Sequence, residues 1–393
     1  MPVSTQLPRL SQRAGGTTRS PVRDLLALTE NPDIISFAGG LPAPELFDLE
    51  GLRRSFDAAL AAPVGLQYST SEGNPALREF IAERYTAQGL PTSRDEILVT
   101  TGSQQALSLL ALALIDPGDT VLVERPSYLA ALQAFTLAGA RIVSVPMTAE
   151  GIDLDALGVL AEQHRPKLLY TVPTFQNPTG GSLGLATRSG LARLAAEHGF
   201  RIIEDEPYRE LRYSGDPMPY LAARSNEHVI TVGSFSKVLA PGLRLGWIRT
   251  RADLHSAVVV TKQAADLHTS TVDQAAAAHY LTGGGLESAL DRIRSAYGER
   301  RDAMLAALPQ TLPAGSTWTT PHGGMFVWAT MPPGHDSTRH LAAAIEQSVA
   351  YVPGAPFYAE RPDASTMRLS FTTYDPARIR EGLRRLERSF VRT

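Results

Sequence analysis

At 393 residues, 43% hydrophobic and 20% charged, the chain is long enough to bury a large core arranged in two or three parts. A formal charge of -3 gives no basis for nucleic acid or an anionic membrane as partner. The absence of cysteine excludes disulfides, thiolate metal sites and cysteine nucleophiles, and fits a cytoplasmic protein. No apolar run reaches the length of a membrane span, and MPVSTQLPRLSQRAGG reads as a polar arm without the apolar stretch of a secretory signal.

In chain order, EILVTTG (96–102) predicts a strand ending in a glycine turn, and SQQALSLLALALI (103–115) has helical periodicity. TVLVERP (120–126) predicts a second strand and YLAALQAFTLAG (128–139) the next helix. ARIVSVPM, KLLYTVP, RIIEDEP and HVITVGS follow as short apolar runs, with the helical LATRSGLARLAAEHG (185–199) before the third of them. Strands alternating with helices imply βαβ units and a mostly parallel sheet, whose ligands gather beyond the carboxyl ends of the strands. After about residue 285 the pattern changes to a long helix (286–308), two strands in GGMFVWATM and MRLSFTTY, and a last helix over 376–388. This predicts a smaller α+β domain completed by the N-terminal segment. The expected division is an arm at 1–48, a large domain at 49–285 and a small domain at 286–393.

The chemically suggestive residues fall at strand ends. Gly102, Ser103 and Gln104 sit where a strand turns into a helix, so backbone N–H groups converge as for a phosphate; taken alone, the same letters favour a plain N-cap serine. Asn177 in VPTFQNPTGG is held out of helical geometry by the following proline, which aims its amide at a ligand or simply makes a turn. Asp205 and Tyr208 close the strand of EDEPYREL, where a buried carboxylate needs a positive partner such as a protonated ring nitrogen, while for Asp205 the letters alone equally allow an acidic loop start. Glu204 and Glu206 read as an acidic loop start. In VGSFSKVLAPGLRLGW (232–247), Ser234, Ser236 and Arg244 suit a phosphate, and Lys237 suits a Schiff base with an aldehyde on the same molecule. A phosphate, an aldehyde and a pyridine nitrogen together describe pyridoxal 5'-phosphate.

Rival motifs are weak. The nine histidines form no H-x-x-x-H, so no metal site is expected. GGSLG (180–184) fits the letters of a nucleophile elbow around Ser182 but follows a turn, not a strand. GGG at 283–285 reads as a linker between helices.

The ordered set ISFAGGLPAPELF, LQYSTSEG, TTGSQQAL, ERPSYLAALQAF, PTFQNPTGG, EDEPYREL, GSFSKVLAPGLRLGW, KQAADLHT, PHGGMFVW and MRLSF spans nearly the whole chain. It resembles the fold-type I, class I/II aminotransferases that use pyridoxal phosphate, nearest the branch of 2-aminoadipate aminotransferase and kynurenine aminotransferase II. The resemblance implies an α/β fold with a mixed, mostly parallel seven-stranded sheet between helices and a smaller α+β domain. It makes Lys237 the Schiff-base lysine and proton shuttle, and pairs Asp205 with the pyridinium nitrogen. Tyr208 and Asn177 would bond the phenolic oxygen and Tyr128 would stack on the ring. Ser103, Gln104, Ser234, Ser236 and Arg244 would form the phosphate cup. Arg368 would clamp the substrate α-carboxylate, with Asn177 also facing substrate. Tyr68 would reach the phosphate of a neighbouring subunit, making the active unit a homodimer.

For the substrate side chain, the resemblance puts Arg23 on an N-terminal helix against a distal carboxylate, with Gly39 and Gly40 on the adjoining loop. Asn74 departs from the pattern, standing where relatives carry an aromatic or larger residue, which bears on the side-chain pocket and not on the cofactor. Met325 and Trp328 are expected in the core, and the arginines of 378–388 on a solvated face. The expected reaction is ping-pong transfer of the amino group of a 2-amino acid to a 2-oxo acid, 2-oxoglutarate foremost. Decarboxylation, elimination or oxidative deamination on the same fold is the alternative. A regulator built on this fold would carry a DNA-binding domain ahead of it, and the roughly thirty-five residues before SFAGG are too few for a winged helix.

Overall fold

The computed structural model describes residues 31–391, together with Ser11 and Arg13. Seven strands form one sheet, in the order Ile97–Thr100, Gly246–Arg249, Val229–Ser234, Arg201–Asp205, Leu168–Thr171, Thr120–Glu124 and Arg141–Val145. Every side chain of the strands Ile97–Thr100, Thr120–Glu124, Leu168–Thr171 and Val229–Ser234 is buried. Successive side chains point to opposite faces, so both faces are covered, as the unbroken apolar runs require.

One strand was not visible in the reading above. Gly246–Arg249 runs antiparallel to both of its neighbours. It is the return limb of GSFSKVLAPGLRLGW: Gly246 pairs with Ser234, so the segment between them leaves and re-enters the sheet at one level. Two 3-10 turns, Phe235–Lys237 and Pro241–Leu243, fold that segment over the strand ends. Lys237 and Arg244 are therefore anchored on both sides by ladder hydrogen bonds.

A second sheet of four antiparallel strands has the order Thr317–Trp318, Phe326–Thr330, Thr366–Ser370 and Val352–Pro353. Helices Gly285–Thr311, Ser337–Glu346 and Pro376–Val391 accompany it. Met325 and Trp328 are buried in this part, as expected. Ile35–Ser36 pairs in parallel with Val349–Ala350, so the incoming segment joins the same part of the molecule. Among the arginines of the last helix, Arg380, Arg384 and Arg388 are exposed as expected, whereas Arg378 and Arg385 turn back to the chain. Arg378 donates to the carbonyl of Pro32, and Arg385 to those of Asp33 and Ser348. These loop carbonyls need donors of their own, and the guanidinium groups supply them.

Candidate active site

Five strand ends supply the site. The helix Gly102–Leu114 starts at Gly102, whose φ of +77° is left-handed. A Cβ there would lie 2.6 Å from Nη2 of Arg244, so only glycine lets the guanidinium close on the helix start. Gly246 is equally constrained, because its Cβ would lie 2.6 Å from the Ser103 nitrogen. Ser236 N donates to Ser234 Oγ at 3.1 Å, and the two hydroxyls stand 2.9 Å apart. A helix N-terminus, serine hydroxyls and one guanidinium thus converge, a donor set that fits a dianionic phosphate. Gln104 is half-buried and reaches the carbonyl of Ala130, in the helix that begins after Tyr128.

Lys237 extends from the 3-10 turn and its Nζ donates to the Gly40 carbonyl at 2.9 Å. Burial lowers its pKa to about 8, helped by the positive charges of Arg368 and Arg244. Such an amine is neutral, hence nucleophilic, far more readily than a surface lysine. Asp205 ends its strand 2% exposed. Its Oδ2 accepts from the Tyr170 hydroxyl at 2.8 Å, whereas Oδ1 is buried without a partner. Burial raises the carboxyl to about 7; the Tyr170 bond opposes the rise and Glu206 adds to it. An orphaned carboxylate oxygen of this kind calls for a donor, and a cationic N–H answers it.

Asn177, Tyr208 and Arg368 form a chain. Asn177 Nδ2 donates to the Tyr208 hydroxyl at 3.3 Å, and Arg368 Nη1 donates to Asn177 Oδ1 at 2.8 Å. Arg368 Nη2 bonds the Ala38 carbonyl at 2.7 Å. The guanidinium lies 4.3 Å from the Phe326 ring centre and 5.0 Å from that of Phe357. Burial lowers its pKa to about 10. Burial also pushes the Tyr208 phenol well up. Tyr128, partly buried, opens the helix Leu129–Ala138. Tyr68 stands apart, 79% exposed, with its ring edge-on to His268. Arg23 lies outside the described residues. Gly39 is buried and Gly40 supplies the carbonyl under Lys237.

The sequence model "Aminotransferase class I and II" matches residues 43–386. The chain is 44% identical over 388 residues to aromatic-amino-acid aminotransferase 1 of Thermococcus litoralis, covering 96% of this chain and 92% of that one. It is also 44% identical to the 2-aminoadipate transaminase of Thermus thermophilus, covering 96% and 95%. The crystal structure of Pyrococcus horikoshii kynurenine aminotransferase, solved with PMP, superposes with a TM-score of 0.92 at 43% identity, covering 98% and 97%. The chain belongs to the class I and II aminotransferases.

In this aminotransferase the sequence reading missed a layer of buried charge. Glu204 and Glu206 are not an acidic loop start. Glu204 is wholly buried and accepts from the backbone N–H groups of Leu221 and Ala222. Glu206 accepts from Thr174 Oγ1 at 2.8 Å. Arg188, also wholly buried, stands 3.8 Å from the first and 3.7 Å from the second. The only sequence signal was that both faces of this strand are covered, so Glu204 cannot face water. Its partner hid in a helix that reads as amphipathic. Asn74 caps the helix Pro75–Ala87 through Oδ1, which accounts for its small polar side chain. Ser182 Oγ accepts from the Phe175 nitrogen, a turn contact and not a nucleophile elbow. Gly283 and Gly284 link two helices.

Proposed function

We propose that this aminotransferase moves the amino group of a 2-amino acid to a 2-oxo acid, 2-oxoglutarate foremost, on pyridoxal 5'-phosphate held through Lys237. The observation that carries this reading is the buried, unpartnered Oδ1 of Asp205, across the strand ends from a lysine whose pKa is depressed. Asp205 would meet the ring nitrogen, the Gly102–Ser103 helix start with Ser234, Ser236 and Arg244 the phosphate, Asn177 and Tyr208 the ring oxygen, and Tyr128 the ring face. When bound, the cofactor supplies an aldehyde to capture amines and a ring that withdraws electrons from the substrate α-carbon.

The chain's own groups do the rest. Arg368, preset by Asn177 and Ala38, binds the α-carboxylate as a forked pair. Lys237 Nζ, neutral above a pH of about 8, takes and returns the proton at the substrate α-carbon. Aromatic amino acids, 2-aminoadipate and kynurenine, named for the relatives, are the first donors to try. Arg23 with Gly40 would face the distal end of the substrate.

The same reading divides the chain into a cofactor-binding unit at 49–285 and a smaller one at 286–393 completed by 1–48; the pairing of Ile35–Ser36 with Val349–Ala350 supports it. It also takes the enzyme as a cytoplasmic homodimer with Tyr68 serving the neighbouring subunit. The exposure of Tyr68 beside Leu66 and Leu267, both also exposed, supports a covered face there. Among the described residues no helix is long and apolar enough to cross a membrane.

Borohydride trapping of the cofactor-loaded protein should label Lys237, and Lys237→Ala should lose both label and turnover. An adduct on another residue would end the assignment. An amino-acid panel read by the cofactor's spectral change, with no release of CO₂ or ammonia, separates transamination from decarboxylation or elimination.

A further inference from the structure

Two side chains outside the set above, Gln176 and Glu124, share an unusual feature: both are buried and their bonds join two separate loops that carry cofactor-facing residues. Gln176 uses every hydrogen-bonding position of its amide. Its Nε2 donates to Glu124 Oε2 at 2.9 Å and to the Pro126 carbonyl at 2.8 Å. Its Oε1 accepts from Thr179 N at 3.0 Å and from Thr179 Oγ1 at 2.6 Å. Glu124 accepts in addition from Thr171 Oγ1 at 2.5 Å and from Val172 N at 3.2 Å.

The positions of these partners matter. Pro126 stands two residues before Tyr128, and Gln176 is the residue before Asn177. One amide therefore sets the distance between the loop of the stacking tyrosine and the turn of the asparagine. That turn needs holding. Phe175 has a φ of +53°, a left-handed conformation that is costly for a phenylalanine. The turn is closed by Gln176 N to the Gly181 carbonyl and by Gly180 N to the Gln176 carbonyl. A buried carboxylate is an expensive way to fill space, since desolvation works against it. Its three donors come from the same strand end and turn that deliver Asn177.

We propose that Gln176, oriented by Glu124, is a positioning residue that holds Tyr128 and Asn177 in one register about the cofactor. The inference rests on the proposed function, because it needs both residues to face pyridoxal phosphate. Asn177 also bonds Arg368, so a shift of the turn reaches the carboxylate clamp.

The test compares Gln176→Leu and Glu124→Gln with the unaltered enzyme. Stripped protein is titrated with pyridoxal phosphate, the pH midpoint of the bound-cofactor absorbance is measured, and KM and kcat follow on the loaded, gel-filtered fraction. Gln176→Leu should weaken cofactor binding about tenfold, move the midpoint up by about one unit and raise KM as kcat falls. Glu124→Gln should do the same to a smaller degree. A lower melting temperature with unchanged binding, midpoint and KM in both variants would overturn the proposal, leaving only a structural role. If Gln176→Leu does not accumulate folded, the same-sized Glu124→Gln decides by those criteria. If the unaltered protein fails to hold pyridoxal phosphate on Lys237, the proposed function fails first, and the two failures are told apart.

Discussion

Arg368 and Asn177, 191 residues apart in the chain, are joined by a 2.8 Å hydrogen bond from Nη1 to Oδ1. The bond settles which way the asparagine amide faces. With Oδ1 occupied by a guanidinium, Nδ2 is left to donate to Tyr208. It also leaves the arginine set in place but not neutralised. The groups acting on its charge are the Tyr208 and Tyr128 phenols, not a carboxylate, and its Nε is buried without a partner.

A guanidinium so held should not be replaceable by an ammonium. Lysine lacks the planar fork that meets Asn177 and Ala38 from two separate nitrogens and still presents paired donors to a carboxylate. Arg368→Lys is expected to raise KM for the amino acid about a hundredfold, or about 2.7 kcal/mol in transition-state binding. Steady-state kinetics with one donor measures this. A KM within twofold of the unaltered enzyme would remove Arg368 from the clamp.

Asp205 makes a pH prediction for the cofactor-free protein. Its carboxyl titrates at about 7 when folded and near 3.8 when unfolded. Between those values the folded chain holds a proton that the unfolded chain has released. The associated stability is full below about pH 4 and is lost as the pH rises through 7. Stripped protein should therefore weaken from pH 5 to 7 more steeply than Asp205→Asn, by up to about 1.4 kcal/mol per pH unit. Glu204, also raised to about 7 by burial, feels no push from Asp205 and cancels in the comparison; Glu124, raised to about 7 by burial and in small part by the Asp205 charge, shifts with the substitution and adds to the difference in slope. Denaturant melts at several pH values give the slopes. Equal slopes would mean that burial does not raise the Asp205 carboxyl.

Gly40 tests how tightly the lysine and arginine halves of the site are packed. A Cβ there would lie 2.6 Å from Phe326 Cζ. Phe326 is 1% exposed, edge-on to Tyr208 at 5.8 Å and under the Arg368 guanidinium. The ring has no free direction in which to move. Gly40→Ala should cost about 1–3 kcal/mol of stability by overpacking. It should also raise KM several-fold, because Arg368 is displaced with the ring. Loss of stability without a change in KM would uncouple Phe326 from the clamp.

These relationships explain what the sequence could and could not reveal. TVLVERP and HVITVGS were legible as strands because a sheet covered on both faces leaves a nearly continuous apolar run. The strand Gly246–Arg249 was not, since its four residues follow a turn-rich segment whose letters drew attention to phosphate binding. Motif spacing brought Lys237, Asp205, Asn177 and Arg368 into view singly. The partners that hold three of them, Gly40 for Lys237, Tyr170 for Asp205 and Ala38 for Arg368, act through carbonyls and a hydroxyl that carry no sequence signature. Arg188 with Glu204 and Glu206 was hidden for a related reason. Charges that neutralise one another in the interior are spelled like charges on a surface.

Tyr68 offers the sharpest test of assembly. At 79% exposure its phenol has little reason to stay on an open surface, and the proposed homodimer gives it a neighbour's phosphate to bond. If so, a site draws Tyr68 from one subunit and Lys237 from the other. Tyr68→Ala and Lys237→Ala homodimers should each be weak or dead. Hybrids made by co-expressing the two, purified through different tags, contain one site with both residues intact and one with neither. Activity near half that of the unaltered dimer is then expected from the hybrid. If Tyr68 acted within its own chain, every site in the hybrid would lack one of the two groups and no recovery would follow. Hybrid turnover equal to the mean of the two parents would exclude a shared site, whatever mass light scattering assigns to the particle.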